Sequence, residues 1–218
     1  MERAADRAAW WLIGALLIVM LVFVGIRLAA DVPNVLSGTV PDESLFEHRY
    51  AAHPWLAYGH ILPGVVYLSL APFQLGRGFR NRHLQLHRRM GRVALIAGVT
   101  SGVFAVLFGF FFAFGGPLQA AAAVTFGLWF IAAFLLAYRA IRRKDIAAHR
   151  RWMIRAFAVG VAVGTIRLWI GLFEAFGVIG FRDAFGIAFW ISFAMHAVAA
   201  ELWLFWRPGA SGAVRRTA

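Results

Sequence analysis

The sequence predicts an all-α fold, a polytopic transmembrane helical bundle, and three observations carry that prediction. Of 218 residues, 61% are hydrophobic and only 15% charged, with a mean hydropathy of +0.71. A soluble domain of this size lacks the polar surface to cover so much apolar side chain. Crossing a bilayer takes about 20 mostly apolar residues, and six such stretches occur, at about 10–30, 55–75, 93–114, 118–138, 156–173 and 184–206. The basic residues, finally, are sorted between alternate loops. The N-terminus, the 76–92 loop, the 139–155 segment and the C-terminus carry 2, 6, 7 and 3 of them, whereas the opposite side has only Arg27, Arg49, Arg167 and Arg182. That bias predicts a single multi-pass membrane domain over 1–218, with N and C termini cytoplasmic.

Composition also excludes several kinds of chemistry. The chain has no cysteine, hence no disulfide, thiolate-held metal or cysteine nucleophile. A net charge of +12 would suggest nucleic acid in a soluble protein. Here topology explains the charge, so no nucleic-acid partner is expected. All but one of the basic residues are arginine, which suits contact with anionic lipid headgroups. Neither a phosphate-binding loop nor a His-Glu-x-x-His or Gly-x-Ser-x-Gly motif is present.

The first span, flanked by basic residues and followed by Leu28-Ala29-Ala30, has the outline of a signal peptide. Its apolar core exceeds the usual 7–15 residues, which predicts a retained anchor helix. Residues 31–54 form the one long external loop, with a short amphipathic helix expected around 42–50. Span two carries Pro63 and Pro72, each able to kink it, and Gln74 is placed to satisfy a freed carbonyl. The Gly115-Gly116-Pro117 link between spans three and four is short enough to require a tight antiparallel hairpin. Trp10, Trp11, Trp152, Trp203 and Trp206 fall near the basic ends of spans, and Trp55 and Trp169 near the opposite ends, as interfacial anchors do.

Spans three and five open alike, with His87-Arg88-Arg89-Met90-Gly91-Arg92 and His149-Arg150-Arg151-Trp152-Met153-Ile154-Arg155. Aligned at an offset of 62, residues 87–104 and 149–166 share seven of 18 positions, among them Ala94/Ala156, Gly98/Gly160 and Gly102/Gly164. In each copy the histidine, alanine and glycines return to one helical face. This predicts a parallel two-helix pseudo-repeat: spans two–three and four–five related by a pseudo-twofold, forming a central four-helix core with spans one and six outside it. The glycines supply faces on which another helix can lie closely.

Ionisable groups within spans usually point into the bundle or a wet cavity. His60, Arg167, His196 and Glu201 are in this class. Glu174, seven residues beyond Arg167, is its expected partner, and Asp31 follows Arg27 by four. Depth sorts these residues into two clusters. The outer one holds His60, Arg167 and groups from the 31–54 loop, His53 among them. The inner one holds His87, His149, Arg88, Arg92, Arg150, Arg155 and Glu201. His196 is expected to be a hydrogen-bonded packing residue, and His48, His83 and, unless it joins the outer cluster, His53 solvated loop residues.

Two functions from different classes fit this pattern. Imidazoles on facing helices of a bundle can hold haem b, with arginines on its propionates, giving a membrane redox or electron-transfer protein. His87 with His149, or His60 with His196, would be the ligands. In outline this is similar to the cytochrome b561 family, with six helices and a core of helices two to five. That family sets paired histidines on helices two and four as well, and span four here has none. A closer resemblance covers nearly the whole chain. His60-Ile61, Pro72-Phe73-Gln74, the Leu86-His87-Arg88 to Gly91-Arg92 run, the His149-Arg150 to Arg155 run and Arg167-Leu168 resemble the bacterial family catalogued as domain of unknown function 2306. That resemblance implies a multi-helix inner-membrane protein and supplies no activity. The competing function is a non-redox anion- or lipid-binding or small transporter-like protein, with His60/Arg167 as an outer gate and homodimerisation open to it. An accessory subunit is the third. Beyond a haem iron, no metal is expected.

Overall fold

The computed structural model describes residues 2–206. The tail 207–218, with its three arginines and the expected cytoplasmic terminus, lies outside them. All regular structure among the described residues is helical: α1 (Glu2–Ser37), α2 (His48–Ala52), α3 (Pro54–Leu75), α4 (Arg77–Arg82), α5 (Leu84–Phe111), α6 (Gly116–Arg142), α7 (Ile146–Ala175) and α8 (Phe181–Trp206). Six of these, all but α2 and α4, are long and apolar enough to cross a membrane. Their outward faces are apolar as well: Trp11, Ile18, Trp55, Ile96, Phe110 and Trp206 are all more than half exposed.

Local chemistry explains where the helices start and stop. Proline occupies the first turn of α3 and of α6, where its missing N–H costs nothing. Asp145 caps α7 by accepting from Ala148 N–H at 2.8 Å. The α7–α8 link turns at Gly177, whose φ of +61° only glycine adopts freely.

The long external loop is shorter than expected. α1 runs through Pro33 to Ser37, so 31–37 are helical. The short helix begins at His48 rather than near 42, because Asp42 accepts from both the N–H (2.9 Å) and the hydroxyl (2.6 Å) of Ser44 and fixes a turn there. Those bonds hold the Asp42 carboxyl below its ordinary pKa. His48 reaches back to the Pro41 carbonyl at 2.8 Å. The segment 38–53 marks one end of the bundle, the loop end. The links 76–83 and 143–145 mark the opposite, basic end.

α7 is the central helix: 56% of its most apolar stretch is buried, against 17% for α1. α3 lies along α5, α5 along α6, α6 along α7, and α8 along both α7 and α6. The last helix thus extends the core of the four middle spans instead of standing outside it. α1 packs mainly on α7.

The repeated glycines serve close approach, as their shared helical face implies. A Cβ on Gly98 would meet the Phe134 ring of α6 at 2.5 Å, and one on Gly160 the Tyr67 ring of α3 at 3.0 Å. Equivalent positions therefore face equivalent helices. The next pair departs from this symmetry. Gly102 faces Ile131 of α6, while a Cβ on Gly164 would stand 2.8 Å from the backbone oxygen of Leu16 in α1.

Candidate functional site: a cavity inside the bundle

A cavity of about 210 Å³ lies among α1, α3, α5, α6, α7 and α8, towards the loop end. A single buried water needs only about 10–15 Å³, so this space suits an organic ligand. Its walls are mostly apolar, with Phe108, Phe130, Phe189 and Phe193 among them. Set into those walls are His60, Ser101, Tyr67, Arg167, Arg27 and Arg49.

His60 is held by the helix it faces. Ser101 Oγ donates to the His60 carbonyl at 2.9 Å, and His60 Nδ1 lies 3.0 Å from both the Ser101 carbonyl and its Oγ. With the hydroxyl proton spent on the carbonyl, Nδ1 carries the ring proton and donates to Ser101. Nε2 is left as a lone-pair acceptor on the cavity wall. Close approach makes this possible: a Cβ on Gly64, one turn past His60, would already touch Ser101 Oγ at 3.0 Å. Two turns from His60 on the same face, or about 10.5 Å along the axis, Tyr67 also lines the cavity. Its buried hydroxyl has no hydrogen-bond partner among the described residues.

At the loop end the cavity closes on a stack of guanidinium and aromatic groups. Arg27 lies 5.0 Å from the Phe46 ring, and Arg49 lies 5.4 Å from Phe46 and 4.3 Å from Phe114, two rings that themselves meet edge-on at 5.3 Å. Arg182 follows at 5.8 Å from Phe114 and donates to the Phe114 carbonyl at 2.9 Å. Acidic groups gather at one end of the stack. Arg27 pairs with Asp31, as the four-residue spacing predicts, and with Glu47 at 3.1 Å, while Tyr58 donates to Asp31 at 3.2 Å. Arg49 has no carboxylate. Only 9% exposed, it donates to the Leu45 carbonyl at 3.5 Å, and its Nε and Nη1 find no partner among the described residues. Burial, with the neighbouring Arg182 and Arg27 charges, draws its pKa below the ordinary arginine value.

His60 and Arg167 do meet at this cavity, as the outer cluster requires. Arg167 lies over the Phe23 ring at 5.7 Å and makes no ion pair with Glu174, which is exposed. Helical side chains lean towards the N-terminus, so Arg167 tilts away from a partner two turns ahead. His53 stacks on Phe112 at 3.8 Å instead of joining the cluster. His196 Nε2 is engaged by the Thr165 hydroxyl at 2.8 Å, the bonded packing role expected of it, and lies outside the cavity lining.

The inner cluster divides. Arg155 makes a two-pronged pair with Glu201 at 2.6 and 2.8 Å and lies over Trp152 at 4.7 Å, facing α8. His149 Nδ1 donates to the Ala137 carbonyl of α6 at 3.0 Å. His87 is within electrostatic range of His149 and has a buried Nδ1 without a partner. Arg88 and Arg92 are exposed, and Arg150 is partly buried. Gln74 does not bond a carbonyl freed by proline: its Nε2 has no partner among the described residues, and its Oε1 lies 3.1 Å from where a Cβ on Gly91 would be. Sequence reasoning missed Tyr67, Ser101 and the Phe46–Arg49–Phe114 stack. Of these only Arg49, one of four basic residues on its side, carried a signal.

The family model described as predicted membrane protein (DUF2306) matches residues 57–204, or 148 of the 218 residues. The chain belongs to this family. No curated protein and no solved structure matches it. The DUF2306 match takes in His60, Tyr67, Ser101, Arg167, Phe114 and Arg182, and begins after Arg27, Phe46 and Arg49. The cavity is thus built partly by the family region and partly by the chain that precedes it.

Proposed function

We propose that the protein is a non-redox binding protein for a lipid-soluble molecule, with the central cavity as its site. One observation carries this reading: an imidazole acceptor, fixed in tautomer by Ser101, on the wall of a phenylalanine-lined cavity. Pockets of this kind are mainly apolar, with a few placed polar groups that orient the ligand. We take the membrane to be a bacterial cytoplasmic membrane with the basic end inside, which directs the loop end of the cavity outward. Anionic lipid headgroups would meet the exposed Arg88 and Arg92.

The test uses protein in lipid nanodiscs and long-chain 1-hexadecanol as the probe, with bound probe counted by native mass spectrometry. Wild type should hold the probe. Ala105→Phe, which fills the cavity, should lose it while keeping the same melting temperature. Equal retention by the filled variant would reject the cavity as the site.

A haem-b role is the second reading, resting on His87 and His149 at equivalent repeat positions and within electrostatic range of each other. Protein expressed with added haem would then show a Soret band that His87→Ala abolishes. A flat spectrum ends this reading.

A further inference from the structure

We propose that the cavity selects molecules with an anionic head, and that Arg49 is the residue that binds that head. This rests on the cavity being a binding site at all, and adds the ligand's charge and orientation.

Consider the charges at the loop end. Three guanidinium groups, Arg27, Arg49 and Arg182, pack against Phe46 and Phe114, and Arg167 lines the same cavity further in. The carboxylates of Asp31 and Glu47 both engage Arg27. Arg49, which packs against both rings, keeps its positive charge with two of its nitrogens buried and unpartnered among the described residues. An isolated buried cation is costly, and proteins retain one where a counter-ion or function compensates. Its desolvated environment, which lowers the pKa, makes the same point; guanidinium stays protonated even so.

The aromatic rings fix the geometry. Held against Phe46 and Phe114, the Arg49 guanidinium stands in the loop-end wall of the cavity, where its planar set of N–H donors is what it can offer a ligand. A planar edge of donors matches carboxylate or phosphate oxygens. The apolar walls then take a hydrocarbon chain running inward past His60. The fitting ligand class is a single-chain amphiphile with its acidic head at the loop end.

Three chain-matched probes test this, added to nanodiscs at about pH 9 so that both acidic heads are ionised despite the bilayer: hexadecanoate, hexadecyl phosphate and 1-hexadecanol. Wild type should bind at least one of the two anions about tenfold or more tighter than the alcohol, and whichever anion wins tells a fatty acid from a phosphate-headed lipid. Arg49→Gln should bring anion and alcohol to parity, with a melting temperature close to wild type showing that the variant is folded. Arg49→Lys should keep part of the preference. Equal binding of anions and alcohol by wild type, or a preference undiminished in Arg49→Gln, would overturn the inference with the cavity still standing. If Arg49→Gln binds nothing, Arg49→Lys decides, and parity there overturns it. Binding of none of the three by wild type would remove the cavity reading itself.

Discussion

At the scale of single residues, burial separates groups with similar formal charge. Arg155 and Glu201 form a two-pronged pair, but Glu201 is about half exposed, and such pairs contribute about 0.2–1 kcal/mol. Arg27 and Asp31 are both buried, with Asp31 at 1% exposure, and removing one partner of a buried pair costs about 3–5 kcal/mol. Asp31→Asn should therefore lower stability in detergent by roughly 3 kcal/mol or more, against under about 1 kcal/mol for Glu201→Gln. Thermal unfolding of the two variants checks this, and equal losses would contradict the burial argument. The Arg27–Asp31 pair was legible in the sequence because four-residue spacing is a local rule. Arg49 was not, because its stack joins residues 46, 49, 114 and 182, which only the folded bundle brings together.

At the scale of elements, the helices were readable and their partners only in part. Apolar runs of about 20 residues have a single physical solution in a bilayer, so six helices follow directly. The glycines announced close approach without naming the neighbour. Gly98 and Gly160 meet α6 and α3, as a repeat would have it, while Gly164 meets α1. That last contact is made to backbone, which cannot turn aside as a side chain can. Gly164→Ala should loosen α1 from α7 while α5–α8 stay packed. Introducing cysteines at Leu16 and Gly164 neighbours and scoring cross-linking would show it, and undiminished cross-linking would refute it. The 31–54 loop was misjudged at its first edge and in its short helix for local reasons: Pro33 did not stop α1, and the Asp42–Ser44 turn delayed α2.

At the scale of the whole molecule, the arginine asymmetry predicts orientation, and the absence of native cysteine makes it measurable. Asn81 and Glu43 are both exposed, at the basic and loop ends. In intact cells with the outer barrier opened, a membrane-impermeant maleimide should label Glu43→Cys and spare Asn81→Cys until the inner membrane is lysed. The reverse pattern would invert the topology. The cavity as a whole was out of reach of sequence reasoning because it needs six helices at once. His60 and Arg167 were found through their cost in a span, whereas Tyr67 and Ser101 have no such cost and left no mark.

The seam between α1 and α7 has a consequence in time. Leu16 and Gly164 are 148 residues apart in sequence. At about 5–20 residues per second of synthesis, α1 waits roughly 7 to 30 s before its main packing partner is made. During that wait it must remain in the bilayer, or with an insertion factor, carrying a buried arginine. Asp31, one turn away on the same helix, neutralises Arg27 from the outset, and Glu47 and Tyr58 arrive soon after. Stalled nascent chains ending near residue 100 should thus insert α1 stably in the native sequence. With Asp31→Asn they should insert it poorly, before any part of α7 exists to help.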